Sequence, residues 1–180
     1  MTDLQDLSSY SLPVRPCLTD QFRFILWYLT GRLFVSCGLP GTWWRKFLLR
    51  LFGAQIGCGG RIKPCVLISY PWLLSVGDYC WIGEKVWIDN LAPVSIGNHV
   101  CLSQGSYLCT GNHHFRKSTF DLKLSAISVG SQSWIGAFAV LAPGTQLGAG
   151  TVVCLGSVAS GVIPPRSILQ GNPASVVGRR

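Results

Sequence analysis

With 180 residues the chain has room for one domain and an appendage, and its 21 glycines and 12% charged residues suit a repetitive β-structure with an aliphatic interior. The formal net charge of +8 is uneven: after Asn90 the sole acid is Asp121, against Arg116, Lys117, Lys123, Arg166, Arg179 and Arg180. No stretch interleaves basic and aromatic residues along a groove, which argues against a nucleic-acid partner and for a phosphate-bearing small ligand or lipid carrier.

In chain order, residues 1–20 are polar, carry Asp3 and Asp6 and lack an apolar core, so no signal peptide is expected. None of the eight cysteines forms a CxxC pair, and Cys80 and Cys154 fall in small-residue slots of the repeat described below. Buried reduced thiols in a cytosolic protein are the expectation. Residues 22–35 (FRFILWYLTGRLFV) are apolar and aromatic, but Arg23 and Arg32 leave no uncharged run near the ~20 residues that a spanning helix needs. Pro40-Gly41 breaks the chain, and Thr42 is placed to cap a second helix ending at Gly53. On that helix Arg45, Lys46 and Arg50 share one flank, and Trp44, Phe47, Leu48, Leu51 and Phe52 share the other. Two readings stand: a helical cap on an open sheet end, or a face of Trp43, Trp44 and the basic flank resting peripherally on the inner membrane surface. The expected division is an N-terminal segment with helices, 1–53, and a repeat domain with a C-terminal tail, 54–180.

From Ile56 an aliphatic residue returns every six positions: 56, 62, 68; 76, 82, 88; 96, 102, 108; 129, 135, 141; 147, 153, 159. Fourteen of these fifteen are Ile, Leu or Val, and Gly follows at 57, 77, 83, 97, 130, 136 and 148. A six-residue period fits neither a helix nor a simple strand; it is the signature of a parallel β-helix, three hexads to a coil, about five coils in all. The register breaks only after every third hexad, between 68 and 76, 88 and 96, and 108 and 129. All three insertions therefore leave the prism along one vertical edge, and interruptions confined to one edge mark a site.

The long insertion holds TGNHHFRKSTFDLKL (110–124), with two of the chain's three histidines, His113 and His114. Histidine takes a proton near neutral pH without a large shift, so one of this pair is the candidate base. His99 reads as a corner residue. No carboxylate is placed by sequence to orient His113, which leaves a backbone carbonyl for that task.

The hexads, the TGNHH loop, SVGSQSWIGAFAVLAPGTQLGAGTVV and the closing VIPPRSILQGNPASVVGR resemble the hexapeptide acyltransferases. FLLRLFGAQIG, WIDNLAPVSIG and CLSQGSYLCTGNHH are similar to the colanic-acid-type exopolysaccharide acetyltransferases, over about 42–178. The resemblance implies a left-handed parallel β-helix, a homotrimer with sites between subunits, and acetyl-CoA as co-substrate with no metal. Position by position it implies His113 as general base and Trp134 as the wall of the cofactor channel, with Ala137 offering its backbone amide to the thioester or pantetheine arm. Leu155 stands where a small residue is common beside the pantetheine. Ser160-Gly161-Val162 replaces the family's Thr-Lys-Asp, so a phosphate-side Lys is missing, and Arg166, Arg179 or Arg180 is left to supply that charge. Asp89 lies one or two residues from the family's acidic acceptor-binding position, and an extra residue in DNLAP makes Asn90 its competitor, with His114 as a further acceptor-side candidate.

The implied reaction is direct transfer of acetyl to a sugar hydroxyl of a polysaccharide precursor that is lipid- or nucleotide-linked. The alternatives are a small acceptor (an antibiotic, a free sugar or an amino acid) and a non-catalytic scaffold. A γ-type carbonic anhydrase shares the prism, but its zinc needs three histidines in a spacing unlike that of His99, His113 and His114.

Overall fold

The computed structural model describes residues 6–10 and 18–180; Cys17 and most of the polar N-terminal stretch lie outside them. From Gln55 the hexads become strands of two or three residues, each paired in parallel with the strands one coil below and one coil above. The first face of the prism stacks Gln55–Ile56, Leu74–Val76, Val94–Ile96, Ile127–Val129, Gln146–Leu147 and Val162–Ile163. The second stacks Arg61–Ile62, Trp81–Ile82, Cys101–Leu102, Trp134–Ile135, Val152–Val153 and Ser167–Gly171. The third stacks Leu67–Ile68, Trp87–Asp89, Tyr107–Cys109, Val140–Leu141 and Val158–Ala159.

The column thus runs two strands past the last hexad read from the sequence. Ile163 follows Ala159 by four residues, out of the six-residue step, yet pairs with Leu147 in the coil below. Ser167–Gly171 then turns back antiparallel onto Ala174–Arg179, which covers the edge of that last strand.

Side-chain alternation explains the period: one residue of each short strand points inward. The fourteen hexad residues from Ile62 to Ala159 are all 7% exposed or less, and they form one continuous core with Trp27, Val35 and Leu49 of the N-terminal segment. Left-handed backbone turns each corner. At the corner from the first to the second face, residues 59, 79, 99, 132, 150 and 166 all have φ between 56° and 73°. Side chains tie that corner from coil to coil. The Cys58 N–H donates to Asp78 Oδ1 (2.7 Å), Asp78 N–H to Asn98 Oδ1 (2.8 Å) and Asn98 N–H to Ser131 Oγ (3.0 Å).

The N-terminal segment closes the lower end. Helix α1 (Leu18–Thr30) passes into a wider π-helical turn, Gly31–Val35, and after a loop α2 (Trp43–Leu51) begins. Gly53, at φ +93°, ends α2, with Ala54 N–H donating to Leu49 O and Gly53 N–H to Arg50 O. The first coil has no strand beneath it to accept from, and side chains fill that gap. Trp27 donates to Ile68 O (2.8 Å), Ser36 to Val66 O (3.0 Å), Thr42 to Ile62 O (3.3 Å), Lys46 to Gly60 O (3.2 Å) and Arg50 to Ile56 O (2.6 Å).

Three expectations are corrected here. Thr42 occupies the helix N-cap position but its hydroxyl serves the prism, not the helix. Arg45 is no part of a surface flank: it is 0% exposed, and its guanidinium donates to the carbonyls of Val35 (3.0 Å), Cys37 (2.8 Å), Leu39 (2.6 Å) and Gly41. The seven described cysteines are free, but only Cys80 is fully buried; Cys58 is exposed and Cys154 half-buried. Among the described residues, no helix is long and apolar enough to cross a membrane.

Candidate active site

The three insertions meet at the corner between the third and first faces. Residues twenty apart stack there, because each of the lower coils carries eighteen residues plus two extra. Ser69 Oγ donates to Asp89 Oδ1 (2.8 Å), and from the coil above, Tyr107 Oη donates to Asp89 Oδ2 (3.3 Å). Burial, then Cys109 and Asp89 beside it, pushes the Tyr107 phenol up; burial, then Asp89, raises Tyr70 as well. Both stay protonated at neutral pH, so Tyr107 holds the Asp89 carboxylate as a donor. Asn90, the competing acceptor residue, is fully buried. Its amide accepts from Tyr70 N–H (3.0 Å) and donates to Tyr70 O (2.6 Å), so it locks the corner and has no free edge for a ligand.

Directly above, Gly111–His113 and Leu122–Leu124 form a short antiparallel hairpin that carries the long loop away from the prism. His113 is half-buried at the loop end of that ladder, opposite Leu122. Its Nδ1 lies 2.8 Å from the Phe120 carbonyl, and its ring stacks on Phe120 at 4.2 Å between centroids and 8°. A carbonyl can only accept, so Nδ1 carries a proton, and in the neutral ring the lone pair is on Nε2. A backbone group thus orients the ring, where a carboxylate would otherwise be sought. Tyr10 of the N-terminal segment leans on the same ring at 5.9 Å, and Asp6 N–H donates to Ser118 O (2.9 Å), tying that segment to the loop. His114 is exposed, and its N–H donates to the Asp121 carbonyl (2.9 Å) on the outer side of the hairpin.

The residues matched to the cofactor lie elsewhere. Trp134 is 49% exposed on the outside of the second face, its Nε1 donating to Ser103 Oγ (2.9 Å). Ala137 and Leu155 sit one coil apart where the second face turns into the third, and Gly156 N–H donates to Ala137 O (2.9 Å). Arg166 is at the other edge of the second face. With Arg180, His99 and Gln132 it lines an open recess of about 550 Å³, in which Arg180 Nη1 donates to Gln132 O (2.9 Å). Ser160 is exposed at the corner between the third and first faces, two coils beyond the hairpin. On a triangular prism that corner is opposite the second face. One copy of the chain therefore does not bring His113 and Trp134 together.

The outward residues of the three faces differ. The first shows Gln55, Ser75, Ser95, Ser128 and Gln146 in register. The third shows Leu67, Trp87, Tyr107, Val140 and Val158, with Trp87 and Tyr107 rings 4.7 Å apart. The second shows Trp81, Cys101, Trp134 and Val152 above Arg61. Among the described residues, no group of three His, Cys, Asp or Glu side chains is placed to hold a metal ion.

No protein-family model matches the chain. A protein of Escherichia coli (strain K12) with the provisional name colanic acid biosynthesis acetyltransferase WcaF is 38% identical over 178 residues, 98% of each chain. The chain belongs to the hexapeptide-repeat acetyltransferases of colanic-acid type. Solved hexapeptide-repeat acetyltransferases share the fold and give the coil its left hand. A galactoside acetyltransferase in complex with coenzyme A superposes with a TM-score of 0.82 at 22% identity, covering 96% of this chain and 88% of that one. A hexapeptide-repeat acetyltransferase of Vibrio cholerae complexed with acetyl-CoA gives 0.79 at 23%, covering 91% and 90%. The left hand runs against the usual right-handed crossover.

The sequence assigns no role to Tyr107, to Ser69 (although it places Ser69 beside Asp89), to Phe120 or to Tyr10. The first two were recoverable from the twenty-residue stacking of the insertions around Asp89. Phe120 and Tyr10 depend on how the long loop and the N-terminal segment fold back, for which the hexad rule carries no signal.

Proposed function

We propose that this family member moves an acetyl group from acetyl-CoA to a hydroxyl of a sugar in a polysaccharide precursor, with His113 as general base. The observation that carries this reading is the His113–Phe120 contact. It leaves an imidazole with its proton on Nδ1 and a free Nε2 at the corner where Asp89 is held for an acceptor. His113 Nε2 takes the proton of the acceptor hydroxyl as that oxygen attacks the thioester carbonyl. The carbon–sulfur bond then breaks, and the imidazolium returns the proton to the departing thiolate. The Ala137 backbone amide is the proposed neighbour of the thioester or pantetheine arm, and Asp89 accepts from a second acceptor hydroxyl. Arg166 and Arg180 take the place of the family's missing Lys near the coenzyme phosphates, across the same face as Trp134.

The site is shared between copies of the chain. His113 and Trp134 lie on opposite sides of one prism, and the second and third faces are apolar where the first is polar. Two different apolar faces suit a closed ring in which each copy meets one neighbour with each face, and three such prisms make a trimer. The acceptor, attached to WcaF only through that relative's name, is tested with a panel of sugars, nucleotide sugars, antibiotics and amino acids, read by thiol release from acetyl-CoA. Turnover with a sugar hydroxyl that falls about 10²–10⁴-fold in His113→Ala supports the reading. Unchanged turnover in His113→Ala, or a low rate in His114→Ala instead, rejects the assignment.

A further inference from the structure

We propose that the outer face of the two N-terminal helices docks on an anionic lipid bilayer, resting on the trimer reading above for its geometry. Both helices bury one side against the prism and leave an apolar stripe on the other. On α1 and its π-helical extension the stripe is Phe22, Ile25, Leu29 and Leu33, opposite the buried Trp27. On α2 it is Trp43 (78% exposed), Phe47 and Leu51, at every fourth residue and opposite the buried Arg45 and Leu49. Twelve of the twenty-five exposed large hydrophobic side chains among the described residues lie between 18 and 53. That concentration is far above scattered surface apolarity and marks a contact surface.

The charge of this end selects the occupant. Residues 18–53 hold Arg23, Arg32, Arg45, Lys46 and Arg50 against Asp20 alone. The described hydrogen-bond acceptors of Arg23, Lys46 and Arg50 are backbone carbonyls, which position these cations without cancelling their charge. A second copy meeting this end would set like charge against like charge. Anionic headgroups complement it, while the stripe enters the interface without crossing.

Geometry adds to this. The helices close the lower end of the column, and their apolar stripes face away from the prism. A cyclic trimer of parallel prisms carries all three caps at one end, and three weak contacts on one surface reinforce each other. The His113 hairpin leaves the third coil, two coil rises or roughly 10 Å above the first. A sugar carried on a lipid headgroup at that surface reaches the reacting corner. This differs from the face foreseen in the sequence, since Arg45 is interior and the contact is made by Trp43, Phe47 and the α1 stripe.

The test is co-sedimentation of the full chain with vesicles of phosphatidylcholine alone or mixed with phosphatidylglycerol. Light scattering without vesicles is run on the same samples. The double variant Trp43→Ser with Phe47→Ser alters exposed side chains outside the reacting corner. Wild type pelleting with anionic vesicles, less so as salt rises, and at least about tenfold weaker binding by the variant with unchanged turnover on a soluble acceptor are expected. Wild type remaining in the supernatant at low salt overturns the proposal. So does equal binding by the variant, or a particle of twice the trimer mass that the variant halves, which makes a second copy the occupant. A monomer that still binds vesicles upholds the docking face and faults the trimer instead.

Discussion

Replacing Arg45 by Met removes a cation that is sealed inside the N-terminal cap with no carboxylate among its described partners. Its guanidinium satisfies the carbonyls of Val35, Cys37, Leu39 and Gly41, which close the π-helical turn and the loop into α2. Each charge-assisted bond is worth about 1.5–3 kcal/mol, and a carbonyl left buried without a donor costs about 1–3 kcal/mol. Part of that loss is offset because the variant no longer desolvates a charge, and loop carbonyls regain some water. A net loss of about 3–5 kcal/mol follows from several carbonyls losing their donor together. For a chain of this length the melting temperature should fall by roughly 10 °C. Arg45→Lys should recover only part of it, because one ammonium cannot reach four carbonyls arranged around a planar fork. Urea unfolding at fixed protein concentration, followed by circular dichroism, measures the difference. A loss below about 1 kcal/mol would refute the reasoning. Unchanged stability combined with weaker vesicle binding would return Arg45 to the surface role suggested by the helical wheel.

Asp89→Asn should raise the KM for the acceptor and leave that for acetyl-CoA unchanged, because Ser69 and Tyr107 hold this carboxylate at the proposed acceptor corner; initial-rate kinetics in both substrates separates the two. Ser106 Oγ is the one buried side-chain polar atom without a partner among the described residues. Ser106→Ala should therefore stabilise the protein by about 1 kcal/mol in the same urea assay. The Cys58 N–H holds the exposed Asp78 carboxyl below its ordinary range. A depressed carboxylate stabilises the fold above its unfolded pKa, and that contribution is lost as pH falls through the folded value. An advantage of wild type over Asp78→Asn at neutral pH should thus shrink below about pH 4 in an acid titration of stability.

The prism was legible because one inward residue per short strand leaves a period that no other fold produces. The shared edge was legible too, since the spacing from Ile68 to Val76, from Ile88 to Ile96 and from Leu108 to Val129 fixes where the extra residues leave. The last two strands were hidden by the four-residue step from Ala159 to Ile163, which the backbone accommodates at the corner around Gly161, at φ +81°. Arg45 was misplaced because amphipathicity says which residues share a side, not which side faces the protein. Here the prism's first coil and the loop 36–41 present carbonyls that draw cations inward. At the site, His113 and Asp89 could be picked out by position. The anchor of His113 could not, because Phe120, seven residues on, reaches the imidazole only through the return of the hairpin.

The central claim is that the base and the cofactor wall come from different copies of the chain, and mixed trimers test it most directly. His113→Ala keeps a normal second face, and Trp134→Glu keeps a normal hairpin while setting a negative charge in the path of an anionic coenzyme. Each homotrimer should be nearly inactive. Co-refolded in equal amounts they assemble at random, and about one quarter of the interfaces then pair an intact His113 with an intact Trp134 of the neighbour. The account predicts recovery of about that fraction of wild-type thiol release. No recovery from mixtures shown by mass to be mixed trimers would contradict it, and would place the whole site within a single chain.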